Sequence, residues 1–198
     1  MRIIAGSARG MKLAAPPGTG TRPVLDRVKE SWFSSLGERV EGARVLDLYS
    51  GVGSVGIEAL SRGAASCLFV ERDPECIAML DEHLRKSRLA ERAEVRRVDA
   101  DVALDDLARS GRRFDLVFLD PPFRVAREAG FVATLSRAVE LLAPGGLAML
   151  RRESERRGRR ARTEADTAQE DAPEGATLVS SRRWGRNEVL FYERAGEP

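Results

Sequence analysis

The sequence predicts an α/β fold: a mostly parallel, seven-stranded sheet with helices on both faces, an antiparallel hairpin at its C-terminal end and a small β-hairpin arm at its N-terminus. Three observations predict it. Strand and helix patterns alternate from about residue 44 to 150, the rhythm of parallel strands joined by crossover helices. Gly51-Val52-Gly53-Ser54-Val55-Gly56 joins the first of those strands to its helix. Two late strand patterns flank Gly185-Arg186, which a plain dinucleotide fold does not need.

Residues 1–24 hold short β-like pieces around Gly6 and Gly10, then Pro16-Pro17-Gly18, and read as an arm leading into a helix at about Asp26–Leu36. Arg44–Leu48 is an apolar strand, and Ser54–Ser61 a helix stopped by Gly63. Cys67–Glu71 is the next strand. Asp73-Pro74 supplies an N-cap and a first-turn proline for a helix over Glu75–Arg88, whose Ile77, Leu80 and Leu84 have helical spacing. Ala93–Val98 and Phe114–Leu119 are strands on either side of a short helix at Val102–Arg109. Glu128–Leu142 is a helix, and Pro144-Gly145-Gly146 turns into the strand Leu147–Leu150. Residues 151–176 are a charged, mobile insert: seven Arg and two Glu over Arg151–Arg162, then five acids and no base over Thr163–Glu174. Its arginine half is a candidate for nucleic-acid contact, with a solvated linker the competing reading. Ala176–Trp184 and Asn187–Tyr192 form the closing hairpin. The arm is thus residues 1–24, and the main domain 25–198.

Composition narrows the function classes. The 198 residues suit one domain, and no apolar run is long enough to span a membrane. The N-terminus lacks a signal-peptide core, so a cytoplasmic protein is expected. Cys67 and Cys76 have no metal-ligand spacing and read as reduced, packed thiols. His83, the single histidine, sits among Asp81, Glu82, Arg85 and Lys86 and reads as part of a solvated helix face. No metal site and no Ser-His-Asp or Cys-His triad is expected. Net charge is only +2, but residues 1–40 carry seven basic side chains against three acids. That excess suits a polyanionic partner.

The glycine loop alone is a weak signal, shared with dinucleotide sites. Asp47 separates the two readings. A carboxylate late on the strand before the loop repels a pyrophosphate but attracts the ammonium and sulfonium of S-adenosylmethionine. Ser50, Gly51 and Gly53 then line the pocket with the backbone close to the ligand. Glu71, about 20 residues on, is placed for ribose hydroxyls, with Arg72 beside it. Asp101 is the candidate for the adenine amine, and Asp99 competes with it.

Asp120-Pro121-Pro122-Phe123 follows the fourth strand. A carboxylate and the carbonyl after it can accept the two N–H bonds of an exocyclic amine. The prolines stiffen the loop. Phe123 offers a face on which a heterocycle can stack. In an open α/β sheet this loop lies beside the glycine loop, at the switch point where ligands bind. Donor and acceptor would meet across one crevice, with Asp120 touching both.

The chain resembles the RsmD family, class I methyltransferases of bacterial small-subunit ribosomal RNA. The resemblance is carried by Arg2-Ile3-Ile4-Ala5-Gly6, Arg9-Gly10-Met11-Lys12-Leu13, Thr21-Arg22-Pro23, Asp26-Arg27-Val28-Lys29-Glu30, Gly56-Ile57-Glu58-Ala59-Leu60-Ser61-Arg62-Gly63 and Asp120–Phe123. It runs from Arg2 to about Leu150 and resumes at Arg183–Tyr192. It implies the class I, Rossmann-like, S-adenosylmethionine-dependent methyltransferase fold. It also implies methyl transfer to a guanine N2 of 16S ribosomal RNA, in a small subunit or an assembly intermediate, leaving S-adenosylhomocysteine. A monomer is expected. Arg9 and Lys12 are candidates for phosphate; Arg22 and Arg27 for phosphate or the cofactor carboxylate, with surface ion pairs competing. The chain departs from the family at Val24-Leu25, where a Thr pair is usual, and at Lys29, where Arg is usual. A DNA amino-methyltransferase acting on adenine N6 or cytosine N4 has similar pocket chemistry, but the chain has little room for a target-reading domain. A nicotinamide oxidoreductase and a non-catalytic RNA-binding module are weaker rivals.

Overall fold

A computed structural model describes residues 1–16, 26–128, 130–154 and 172–195. Helix α1 (Asp26–Leu36) precedes β1 (Arg44–Leu48), α2 (Ser54–Ser61), β2 (Ser66–Glu71), α3 (Pro74–Ser87), β3 (Ala93–Arg97), α4 (Ala100–Ser110) and β4 (Phe114–Leu119). Helix α5 (Phe131–Glu140), β5 (Leu142–Glu153), β6 (Ala176–Trp184) and β7 (Asn187–Arg194) follow. The seven strands form one sheet in the order β3-β2-β1-β4-β5-β7-β6. The first five run parallel, and β7 is antiparallel to both β5 and β6. The order turns at β1, whose neighbours are β2 and β4, so a crevice opens at its carboxyl end.

Strand alternation divides the core. Val45, Phe69, Phe118, Met149 and Phe191 face α1, α2, α3 and the arm, packing with Trp32, Phe33, Ile57, Leu60 and Leu80. Leu46, Leu68, Val117, Leu150 and Tyr192 face α4 and α5, packing with Leu104, Leu107, Leu135 and Val139. Trp32 and Phe33 hold ring contacts with Phe118, at 5.8 and 5.6 Å between centroids. Asp73 caps α3 as its sequence suggested, accepting from Glu75 N at 2.8 Å and Cys76 N at 3.2 Å, with Pro74 following.

The N-terminal arm is a hairpin closed by an antiparallel bridge between Arg2 and Lys12. It is fastened to α2. Glu58 accepts from the N–H groups of Ile4 and Ala5, at 2.8 and 3.0 Å, and Ser61 Oγ accepts from Ala8 N at 2.9 Å. Beneath it, Lys29 of α1 is fully buried and pairs with Glu58 at 3.2 Å. Its ammonium also donates to the Arg2 carbonyl at 2.6 Å and to Ser54 Oγ at 3.3 Å. Lys29 therefore adds nothing to a basic surface; its charge is spent inside.

The structure departs from the sequence reading in several places. Strand β5 starts at Leu142 and absorbs Pro144-Gly145-Gly146 through a register irregularity against β4, where a turn was expected. It also continues to Glu153, so Arg151, Arg152 and Glu153 belong to the sheet, paired with β7, and not to the charged insert. The core of that insert, 155–171, lies outside the described residues. Helix α5 begins at Phe131, after a 3-10 turn at Val125–Arg127. His83 is buried, not on a solvated face. Its Nε2 accepts from Ala14 N at 3.1 Å, which fixes Nδ1 as donor to the Val52 carbonyl at 3.0 Å. The ring thus ties the arm to the loop after β1. Both cysteines are free. No helix among the described residues is long and apolar enough to cross a membrane.

Candidate active site

The carboxyl ends of β1, β2 and β4, with the start of α4, surround a cavity of about 980 Å³, in the range of small-molecule sites. Asp47, Tyr49, Ser50 and Gly51 from the glycine loop, Glu71 and Arg72 after β2, and Asp120, Pro121, Pro122 and Phe123 after β4 all line it. The expected donor and acceptor residues therefore share one chamber, except Gly53, which does not line it.

Local geometry explains the loop. Tyr49 turns the chain out of β1 at φ +60°, an unfavourable value for a non-glycine residue. Gly53 holds φ +83°, and a Cβ there would lie 2.3 Å from Leu80 Cδ1. At Gly56 a Cβ would meet Phe69 Cε1 at 2.3 Å, so this glycine lets α2 pack on β2. Asp47 is buried at the head of the cavity. Its Oδ2 accepts from Gly56 N at 2.8 Å, while Oδ1 has no partner among the described residues. Burial pushes its carboxyl up to about 8; the Gly56 N–H acts against that, and repulsion from Asp120 and Glu71 adds to it. An orphaned buried oxygen of this kind is the structural sign of a missing donor or cation.

Glu71 does more than the ribose role assigned to it. Oε2 accepts from Gly51 N at 2.8 Å, and Oε1 from Arg72 N and Asp73 N at 2.8 and 2.9 Å. It locks the glycine loop to the start of α3 and keeps spare lone pairs toward the cavity. Ser50 donates its N–H to the Val70 carbonyl at 3.1 Å. Asp99 caps α4, accepting from Asp101 N at 3.0 Å, and pairs with Arg72 at 2.9 Å. Asp101 accepts from Thr134 Oγ1 at 2.8 Å and pairs with Arg137. Both acids line the cavity, and each already has protein partners.

Asp120 follows Leu119, which pairs with Leu48 on one side and Leu150 on the other. Its carboxyl is raised by burial, against which the charge and hydrogen bond of Arg151 pull it down. Arg151 is the residue that sequence reading missed. Its Nε donates to Asp120 Oδ1, its Nη1 donates to Asn187 Oδ1 at 2.9 Å, and its Cζ stands 5.0 Å from the Phe123 ring centroid. Alternation could have found it, because Leu147, Met149 and Arg151 share a parity. The arginine run that follows drew it into the insert instead.

Charge is unevenly spread around the chamber. Asp47, Glu71, Asp73, Asp99 and Asp101, with Arg72, line the β1–β3 side; Arg124, Arg151 and Arg186, with Asp120 and Glu128, line the side of β4, β5 and the hairpin turn. Glu153 sits among the latter and pairs with Arg127 and Arg186. Among its described residues, the arm reaches the cavity only through Met1, Ala15 and Pro16. Arg9 is exposed at the arm's tip, and Lys12 is exposed on its return strand; neither lines the chamber. Arg22 lies outside the described residues, as does the side chain of Arg27 on α1. No metal-binding cluster occurs among the described residues.

Comparisons with known proteins agree with this geometry. Residues 1–193 match the family described as conserved hypothetical protein 95. A Bacillus subtilis protein named "Putative rRNA methyltransferase YlbH" is 42% identical over 171 residues, covering 78% of this chain and 93% of that one. The Escherichia coli protein named Ribosomal RNA small subunit methyltransferase D is 40% identical over 124 residues, 63% of this chain and 61% of that protein. Of that relative, then, the chain spans about three fifths. A solved structure described as "Putative methyltransferase yhhF from Escherichia coli" superposes with a TM-score of 0.77 at 30% identity, covering 100% of this chain and 99% of that one. The fold is the class I methyltransferase fold.

Proposed function

Because the chain belongs to the conserved hypothetical protein 95 family, we propose that it is an S-adenosylmethionine-dependent ribosomal RNA methyltransferase acting on the exocyclic N2 of a guanine in 16S ribosomal RNA. The observation that carries the reading is the shared chamber: an orphaned buried acid on one side, a carboxylate-Pro-Pro-Phe loop on the other. The residues fit the donor. Asp47 offers a free oxygen to a cation, and the acid-lined half has no place for a pyrophosphate. Ser50, Gly51 and Gly53 approach the methionine part, and Glu71 with Arg72 the ribose. Asp101 or Asp99 meets the adenine.

When bound, S-adenosylmethionine supplies the methyl group: the N–C bond forms as the C–S bond breaks, and that electron pair leaves on sulfur in S-adenosylhomocysteine. This chain's residues prepare the acceptor. The guanine N2 lone pair is delocalised into the ring, so the amine is a poor nucleophile. Asp120 and the Pro121 carbonyl accept its two N–H bonds and draw the nitrogen toward a tetrahedral arrangement, aimed at the donor. The proton leaves toward Asp120 or water. Positioning and electrostatics carry the catalysis. Flipping the base out costs a few kcal/mol, of which stacking on Phe123 recovers about 1–3 kcal/mol.

The side that carries Arg124, Arg151 and Arg186 faces the polyanion that presents the base, in a small subunit or its assembly intermediate. The arm, residues 1–24, contributes Arg9 and Lys12 to that contact, and residues 25–198 form the catalytic domain. The protein acts as a monomer in the cytoplasm. The test offers methyl-labelled S-adenosylmethionine with small ribosomal subunits from cells lacking the gene, and separately with duplex DNA. Label in the subunits supports the reading; label in DNA alone transfers it to the DNA amino-methyltransferase class.

A further inference from the structure

Arg151 ends the buried part of β5, next in register after the Leu119–Leu150 pair that joins β4 to β5. Its side chain is 8% exposed and that of Asp120 14%. One guanidinium touches both side chains assigned to the acceptor. Nε donates to Asp120 Oδ1, and the cation lies 5.0 Å from the centre of Phe123. Nη1 is tethered to Asn187 Oδ1, at the start of β7. The guanidinium is planar and rigid, so seating Nη1 on Asn187 and the cation over Phe123 dictates where Nε points. It takes Oδ1 and leaves Oδ2, which has no donor among the described residues, for an amine N–H.

We propose that Arg151 is a positioning residue for the acceptor pocket: braced by Asn187, it orients Asp120 and Phe123. The proposal rests on the reading of Asp120 as amine acceptor and extends it. It gives the C-terminal hairpin a task, since the brace crosses from β5 to β7. The charged groups that line the chamber with Asp120 are Asp47, Glu71, Arg72 and Asp73, Asp99 and Asp101, Arg124 and Glu128 after the loop, Arg151 and Glu153 from β5, and Arg186 on the hairpin turn. Of these, Arg151 is the one bonded to it. A buried carboxylate deprived of that cation takes up a proton more readily. A protonated Asp120 has one fewer site to accept an amine N–H.

The experiment pairs two readouts on wild type, Arg151→Gln and Arg151→Lys. One is carbon-13 NMR titration of the Asp120 carboxyl. The other is the pH dependence of kcat for methyl transfer to small subunits from cells lacking the gene. In Arg151→Gln the Asp120 midpoint should rise by about one pH unit or more. The acid limb of kcat should move the same way, and kcat at pH 7 should fall at least about tenfold, with S-adenosylhomocysteine affinity unchanged. Arg151→Lys restores the charge without the fork, so the midpoint should return most of the way while kcat stays low. Arg151 also blocks one face of Phe123, and a plug at that place would give the opposite result, a faster Arg151→Gln enzyme. That result overturns the proposal, as does an unmoved Asp120 midpoint. If the wild type methylates no subunits, the functional reading fails, yet the NMR titration still decides whether Arg151 controls Asp120.

Discussion

Asp47 stands opposite Phe118 on the adjacent parallel strand, Asp120 follows Phe118 by two residues just past the end of β4, and both open on one chamber. Burial, with repulsion from Asp120 and Glu71, holds the Asp47 carboxyl up at about 8. At neutral pH the free protein therefore keeps Asp47 mostly protonated. A sulfonium and an ammonium stabilise the ionised form, so donor binding expels a proton. Below about pH 8, S-adenosylmethionine affinity should rise with pH, approaching about tenfold per unit, with up to about one proton released. Calorimetry in buffers of different ionisation heat measures both. An affinity independent of pH between 6 and 8 contradicts this role for Asp47.

The same raised carboxyl has a cost in stability. The folded state binds a proton that the unfolded chain has released above its ordinary value near 4. Asp47 therefore makes folding stability fall as pH rises from about 4 to about 8. Asp47→Asn should lessen this fall and raise the ligand-free melting temperature at pH 8, while weakening donor binding. Thermal melts of both proteins across that range test it; parallel curves count against it.

Removing the acceptor carboxylate separates binding from chemistry. Asp120→Ala should bind S-adenosylhomocysteine within a few-fold of wild type and lose methyl transfer by at least about 100-fold, since it removes an interaction needed only at the reacting nitrogen. Equilibrium binding and label transfer on one preparation give both numbers. An active Asp120→Ala enzyme would refute the assignment.

Lys29 and Glu58 are both 0% exposed, and their pair joins α1, α2 and the arm. Lys29→Met leaves Glu58 with Arg62 and two backbone donors but without its buried cation. It should cost about 3 kcal/mol, the lower end for a broken buried pair because Arg62 remains. Urea unfolding reads the loss. Hydrogen exchange at Ile4 and Ala5 should accelerate with it. A loss below about 1 kcal/mol shows that the pair is replaceable.

Arg9 and Lys12 project from a hairpin that is fastened down and does not swing free. If they meet phosphate, replacing both with Gln should make the slope of log affinity against log salt for RNA shallower by about 1–2. An unchanged slope returns them to ordinary surface.

Much of this was legible in the sequence. The strand–helix rhythm located β1, β2 and β4, because apolar runs of four to six residues between turn signals have few other readings. Asp47 and Asp120 could be placed because one lies late in such a run and the other directly follows one. The arginine at 151 could not, since composition hid the end of β5; a run of Arg looks like solvent even where its first member is buried. His83 misled for a related reason. Its sequence neighbours are charged, but on a helix the faces are set three and four residues apart, and the buried Leu80, three residues before it, shares its side. The buried Lys29–Glu58 pair was also out of reach, because burial of a charge depends on a partner 29 residues away.

The most direct test of the central claim is to identify the methylated nucleoside. Small-subunit RNA from cells lacking the gene is treated with the purified protein and S-adenosylmethionine, digested, and analysed by mass spectrometry. The account predicts N2-methylguanosine at one position, absent when Asp120→Ala replaces the wild type. A methyl group on any other atom, or on no ribosomal nucleoside at all, contradicts it.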